Sequence, residues 1–240
     1  LTREDIQGVY AGLRPLLAGE SEESSQLSRE HAVARPQPGL ISIAGGKYTT
    51  YRVMAKDAVD AAREDLSAGV PDSVTEHIPL IGAEGYQALV NQVDTLSRRH
   101  DLPVWRLTHL LDRYGSLVLG LFDLIAEDRT LAEPLPGAEE YLRVEVVHAA
   151  RHEATLHLND LLTRRTRISI ETPDRGVEAA EPAARILAAE LGWDEERTTS
   201  EIQHYLNRVQ AEIESQQMTE DERADAERTE ATDIRVLAKG

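Results

Sequence analysis

Residues Gly39–Arg52 read GLISIAGGKYTTYR, and they decide how the chain folds around them. The apolar run LISIA has strand character, Gly45 and Gly46 follow it at once, and Thr49 and Thr50 are placed to cap a helix. The apolar stripe of that helix is Met54, Ala58, Ala62 and Leu66, at helical spacing. A strand that ends in two glycines lets backbone approach a ligand closely, because no Cβ stands in the way. The helix start then offers unpaired N–H groups and the positive end of its dipole. Such a place suits an anion or an electron-rich oxygen. It is not a nucleotide P-loop: the G-x-x-x-x-G-K-[ST] pattern needs Gly where Ile41 stands and Ser or Thr where Tyr48 stands.

Upstream, Glu30–Arg35 and Gly39–Ala44 read as two strands, and PQPG at Pro36–Gly39 supplies the turn of a hairpin between them. Further back, GVYAGLRPLL at Gly8–Leu17 is a short β-type run with Tyr10, Gly12 and Arg14 on one face, and Pro15 confines it to an edge or an end. The acidic, serine-rich AGESEESSQ at Ala18–Gln26 reads as an exposed loop.

Beyond Pro79 the period changes to helical throughout. The sequence predicts helices over Glu84–Arg99, from Pro103 to Gly115, over Leu117–Glu127 with Ser116 as cap, over Ala138–Arg165 with a break near Glu153–His157, over Glu178–Leu191 and over Glu195–Gln216. From Gln217 onward the residues are charged or small, as in a solvated helix or a tail. The expected class is α+β, predominantly α. Residues 1–72 form a mixed part with short strands, 73–216 a helical bundle and 217–240 a charged tail.

Composition narrows the function classes. The 240 residues are 41% hydrophobic and 29% charged, ordinary globular usage. Asp and Glu number 43 against 26 Lys and Arg, a net charge of -17 that repels nucleic acid and anionic headgroups. There is no cysteine, so disulfides, thiolate nucleophiles and cysteine-ligated zinc are excluded. The longest apolar runs, such as Leu117–Leu121, fall short of the roughly 20 residues a membrane-spanning helix needs.

GGKYTTYR preceded by GLRPL, in that order and spacing, resembles the FAD-dependent glycerol-3-phosphate dehydrogenases, the quinone-linked type within the amino-acid-oxidase-like flavoproteins. The likeness continues through SREHAV at Ser28–Val33, RYGS at Arg113–Ser116 and YLRVEVVHAARHEATLHLNDLLTRRTRI at Tyr141–Ile168. Members of that family open on a βαβ unit with a G-x-G-x-x-G fingerprint for the FAD pyrophosphate, which this sequence lacks. The resemblance therefore implies the end of a truncated FAD domain joined to a helical cap, inactive by itself.

In the complete enzyme the resemblance implies oxidation of sn-glycerol 3-phosphate to dihydroxyacetone phosphate, with electrons passed to quinone. The setting it implies is cytoplasmic, with the parent peripheral on the membrane and possible as a homo-oligomer. Carried over residue by residue, Arg14 contacts the substrate, its fork suited to phosphate oxygens or the reacting hydroxyl. Gly45, Gly46, Lys47, Tyr48 and Thr49 border the flavin, and Lys47 joins Arg14 on the catalytic side. Arg52 lies inside the helix, where pairing with an acidic neighbour is the simpler expectation.

Other signals have plainer readings. His148 and His152 stand four apart beside Glu145, Glu153 and His157, but HAARH lacks the HExxH order, and no metal site is expected. The run RRTR, Arg164–Arg167, is explained by a helix end and local acids. Trp105 and Trp193 read as half-buried anchors beside helix starts. An autonomous helical interaction or oligomerisation module is the competing reading, and a large exposed apolar patch on the bundle would favour it.

Overall fold

The computed structural model describes residues 2, 31–63, 65–66 and 69–231. The expected strand over Gly8–Leu17, Arg14 with it, and the loop at Ala18–Gln26 lie outside the described residues. The chain divides into two compact units, one within Ala11–Glu84 and one containing Gly85–Gly240. Among the described residues the architecture is α+β and predominantly helical, with two small two-stranded sheets.

In the smaller unit the expected hairpin is present. Strand β1 (His31–Gln37) pairs antiparallel with β2 (Leu40–Gly45), with Val33 opposite Ile43 and an irregularity between Ala34 and Gln37. Gly39 supplies the left-handed turn residue at φ 76°. A 3₁₀ turn, Tyr48–Thr50, runs directly into helix α1 (Tyr51–Arg63). Met54, Ala58 and Ala62 of the expected stripe are half-buried, whereas Leu66 lies beyond the helix and is exposed. Polar contacts tie helix to hairpin: His31 Nε2 lies 2.6 Å from Asp57, and Arg35 reaches Asp65 at 3.1 Å. No described residue of this unit is fully buried, so polar ties and half-buried faces hold it together.

The larger unit has two cores. Helix α4 (Val104–Tyr114) buries Leu107, Leu110, Leu111 and Tyr114, and α5 (Val118–Glu127) buries Val118, Leu121, Phe122 and Ile125. Both sets follow the i, i+3, i+4, i+7 spacing of a core-facing stripe. Two shorter helices, α2 (Tyr86–Val90) and α3 (Val93–His100), precede them where one helix over Glu84–Arg99 was expected. The chain breaks at Asn91 and Gln92, and only Leu96 of this stretch is fully buried. Pro103 stands at the N-cap of α4, and Gly115 ends it at positive φ. Ser116 lies within a 3₁₀ turn and caps nothing.

The second core corrects the sequence reading at Ala138. A hairpin forms there, β3 (Pro134–Leu135) with β4 (Ala138–Leu142), turning at Gly137 with φ 73°. Burial of Leu135, Ala138, Tyr141 and Leu142 outweighs the helix propensity of AEEYL. Helix α6 (Arg143–His152) follows, and the expected break at Glu153–His157 is present. Beyond it, α7 (Leu158–Asp160) continues into a π turn over Leu161–Arg165, in which Thr166 N–H donates to Leu161 O at 2.8 Å. Then come α8 (Ile168–Glu171), α9 (Val177–Leu191), α10 (Glu195–Ser215) and α11 (Asp221–Glu230). Ala179, Ala180, Ala183 and Ala184 give α9 a small-residue buried face, with Leu187 completing it. Trp193 packs partly buried against this core, as expected, whereas Trp105 is 54% exposed and carries the Arg106 guanidinium over its ring. No described helix is long and apolar enough to cross a membrane.

Candidate functional site

The glycine turn brings Gly45, Gly46, Lys47, Tyr48 and Thr49 into one exposed corner of the smaller unit. Gly45 and Gly46 take φ 78° and 86°, a region that favours glycine. A Cβ on Gly46 would also stand 2.5 Å from Met54 Sδ, so a larger residue there would have to displace the end of the Met54 side chain. Lys47 is extended at the N-cap position. Its N–H donates to Thr50 Oγ1 at 3.2 Å, and the Thr50 N–H donates back to its carbonyl at 3.0 Å. Thr50 therefore closes the helix start from inside the first turn. Tyr48 is 92% exposed, its ring 6.1 Å from that of Tyr51.

No carboxylate among the described residues is within ion-pair reach of Lys47. Arg52 points elsewhere: its guanidinium donates to the carbonyls of Thr75 and of Ile78, the latter at 2.5 Å, and so clamps a neighbouring turn onto α1. The acidic partner expected for Arg52 is replaced by main-chain oxygens. This corner can offer an ammonium and first-turn N–H groups to an electron-rich group, and the His31 imidazole, opposite Gly45 in the hairpin, is taken up by Asp57 at 2.6 Å.

A second set of polar groups lies inside the larger unit and accounts for the motifs there. Glu145 is fully buried. Its Oε1 accepts from Leu142 N–H at 2.8 Å and its Oε2 from the Tyr114 hydroxyl at 3.0 Å, with Arg113 Nε at 3.2 Å and His109 Nε2 at 3.4 Å. Arg113 also donates to the Arg165 carbonyl at 2.7 Å, and Arg165 donates to the Glu153 carbonyl. The Tyr141 hydroxyl donates to Glu171 at 2.6 Å and accepts from Arg167 N–H at 3.2 Å. Burial, with the Glu171 bond, pushes Tyr141 up to about 12. Burial and the Glu145 charge raise Tyr114 too.

RYGS, YLRVE and RRTR thus form one interior network. Arg164 and Arg167 of RRTR pair with Asp160 and Glu171, which matches the plain reading of that run. Glu145 was missed as a key residue: it caps the Leu142 N–H from the third helical position, but with leucine rather than Ser or Thr at the N-cap the sequence carries only half of a capping box. Glu201 was missed as well: it is 2% exposed and binds Leu158 N–H at 3.1 Å, His157 Nδ1 at 2.8 Å and Arg197. Nothing in the sequence around it marks this long-range cap.

The rings of His148 and His152 lie 4.9 Å apart, and burial followed by the His152 charge lowers the pKa of His148. No group of three or more metal-binding side chains is assembled among the described residues.

Comparison with known proteins fits this geometry to a family. A family model described as the C-terminal domain of alpha-glycerophosphate oxidase matches residues 73–198. Glycerol-3-phosphate dehydrogenase 2 of Mycobacterium tuberculosis is 52% identical over 235 residues, covering 98% of this chain and 40% of that protein. A mitochondrial glycerol-3-phosphate dehydrogenase of Arabidopsis thaliana is 32% identical, covering 84% of this chain and 34% of its own length. The solved glycerol-3-phosphate dehydrogenase of Bacillus halodurans, complexed with FAD, aligns at a TM-score of 0.67 and 28% identity, over 88% of this chain and 41% of that one. The chain thus spans about 40% of the length of the mycobacterial relative.

Proposed function

Because the chain belongs to the family of the C-terminal domain of alpha-glycerophosphate oxidase, we propose that it is the carboxyl-terminal part of an FAD-dependent glycerol-3-phosphate dehydrogenase. The observation that carries this reading is identity of 52% across 98% of the chain, glycine turn and helical part alike. The substrate is sn-glycerol 3-phosphate, the product dihydroxyacetone phosphate, and a quinone takes the electrons. The complete protein works on the cytoplasmic side, peripheral to the membrane. Residues 1–72 end its flavin domain, 73–216 form its helical cap and 217–240 a charged tail.

FAD, when bound, supplies the hydride acceptor. The corner at Gly45–Thr49 fits an electron-rich ring edge by its donor set: an ammonium without a carboxylate partner among the described residues, and the N–H groups of a helix start. Lys47 and that helix start favour added negative charge on the ring, and Gly45, Gly46, Tyr48 and Thr49 shape the border. Arg14 holds the substrate through its phosphate oxygens or its reacting hydroxyl. Its role rests on the GLRPL motif alone.

The test is an equilibrium titration of the purified chain with FAD, followed by a dye-reduction assay with glycerol 3-phosphate. No binding and no turnover is the expected result, since the pyrophosphate fingerprint is absent from the sequence. Stoichiometric binding with turnover would overturn the fragment reading.

A further inference from the structure

The charged segment that follows α10 folds back on that helix. α10 ends at Ser215, α11 begins at Asp221, and the two pack against each other across this short connection, so they run antiparallel. Ala224, Glu227 and Ala231 are half-buried, at i, i+3 and i+7 spacing, and every other residue from Asp221 to Glu230 is exposed. The docking stripe of this segment is therefore two alanines with a carboxyl between them. That stripe and the facing side of α10 enclose a cavity of about 330 Å³, lined among others by His204, Ala211 and Glu214 of α10 and by Glu227 and Glu230 of α11.

Opposite charge does not hold the two helices together. Each carries five carboxylates and two arginines. The arginines are engaged locally: Arg197 with Glu201, Arg208 with Glu212, Arg223 with Glu220 and Arg228 with Asp225. Among the described residues no ion pair joins α11 to α10. What crosses the cavity is a carboxyl–carboxyl hydrogen bond between Glu214 and Glu227, which raises the pKa of Glu227; burial and the charges of Glu214 and Glu230 act in the same direction. Such a bond requires a proton on one of the two groups, since an ionised carboxylate only accepts. Glu214 Oε1 also accepts from Gln210 Nε2 at 2.5 Å. His204 is the basic group on the cavity wall, and its Nδ1 donates to the Ser200 carbonyl at 2.7 Å.

We propose that α11 is a proton-operated latch, docked on α10 while Glu214 and Glu227 share a proton and released when both are ionised. With one proton a donor faces an acceptor; with none, two like charges face each other across the cavity, and Glu230 adds a third. The sign follows from linkage. The carboxyl holds its proton more tightly docked than free, so docking is fully supported below the ordinary Glu value of 4.5 and is lost as pH rises through the higher docked value. Release uncovers Ala211, which is 7% exposed in the docked arrangement, and the His204 side of α10. The latch uses no residue of the glycine turn and is independent of the flavin reading.

The experiment measures backbone amide order parameters of α10 and α11 by NMR relaxation in the 240-residue chain at two pH values. At about pH 4 the α11 amides should match those of α10, near the rigid value of about 0.85, and at about pH 7.5 they should fall below about 0.6 while α10 stays rigid. Glu227→Gln replaces the shared proton by an amide donor and should keep α11 rigid at both pH values. Glu222→Gln removes the same charge from an exposed position of α11 and should leave the pH transition in place. Order parameters of α11 that do not change with pH in the parent chain, an α11 that is mobile at the higher pH in Glu227→Gln, or loss of the transition in Glu222→Gln would each overturn the latch.

Discussion

Glu145 shows how a single carboxylate can organise a helical unit. It lies between α4, β4 and α6, and every acceptor direction it uses is filled by a group from this unit. Glu145→Ala leaves the Tyr114 hydroxyl and the Leu142 N–H without their acceptor and the half-buried Arg113 guanidinium without its counter-charge. The expected loss is about 3–5 kcal/mol in urea denaturation, far more than for breaking an exposed pair such as Arg185–Glu195. Glu153 behaves in the opposite way. Its Oε2 is buried without a partner, and burial raises its pKa despite nearby Arg113 and Arg165. A carboxyl whose folded pKa lies above its unfolded one costs stability as pH rises from the unfolded value through the folded value, and the cost persists above. Glu153→Gln should therefore stabilise the chain at pH 7 and leave it nearly unchanged at pH 3, read as the urea midpoint at the two pH values; a destabilised variant at pH 7 would contradict this account.

The elements differ in how far local sequence determined them. The hairpin β1–β2 and the helix after it were legible because turn residues, strand residues and a cap occur in consecutive order. Gly46 was legible as a special backbone position, but its contact with Met54 was not, since that depends on how α1 folds back. Gly46→Ala meets both the strained φ and the Met54 sulfur, and should cost about 1–3 kcal/mol. Hydrogen exchange should show the loss concentrated in β2 and α1. The β3–β4 hairpin was illegible because Ala, Glu and Leu favour helix, and only packing of Tyr141 and Leu142 into the unit reverses that preference. The single helix expected over Glu84–Arg99 failed for a related reason: its apolar spacing is helical, yet the stretch buries too little to carry the helix through Asn91 and Gln92. In the candidate site, Lys47 and its neighbours were legible as a motif, whereas Arg52 turned to carbonyls that no spacing could reveal.

At the scale of the whole molecule, 43 acidic residues face 26 basic ones, and among the described residues most of the basic ones are already paired locally. What remains is repulsion among carboxylates spread over the surface, which dissolved salt screens. Raising sodium chloride from about 0.05 to 0.5 M should lift the thermal midpoint by about 2–4 °C, an increment of the order of 1 kcal/mol. Scanning calorimetry would show it, and a falling midpoint would mean that attractive pairs dominate instead.

The π turn at Leu161–Arg165 bears on a different matter, the tolerance of this chain to changes in its length. A π turn holds one residue more than the α turn it replaces, and here it ends at Arg165, where Thr166 becomes extended. Removing one residue would restore ordinary winding, swing the side chains that end the turn by about 100° around its axis and shorten the chain that leads on to Arg167. Arg165 would leave the Glu153 carbonyl, and Arg167 would no longer meet Tyr141 and Glu171. Substitutions can be absorbed in this stretch one at a time, but an insertion or a deletion changes every partner at once.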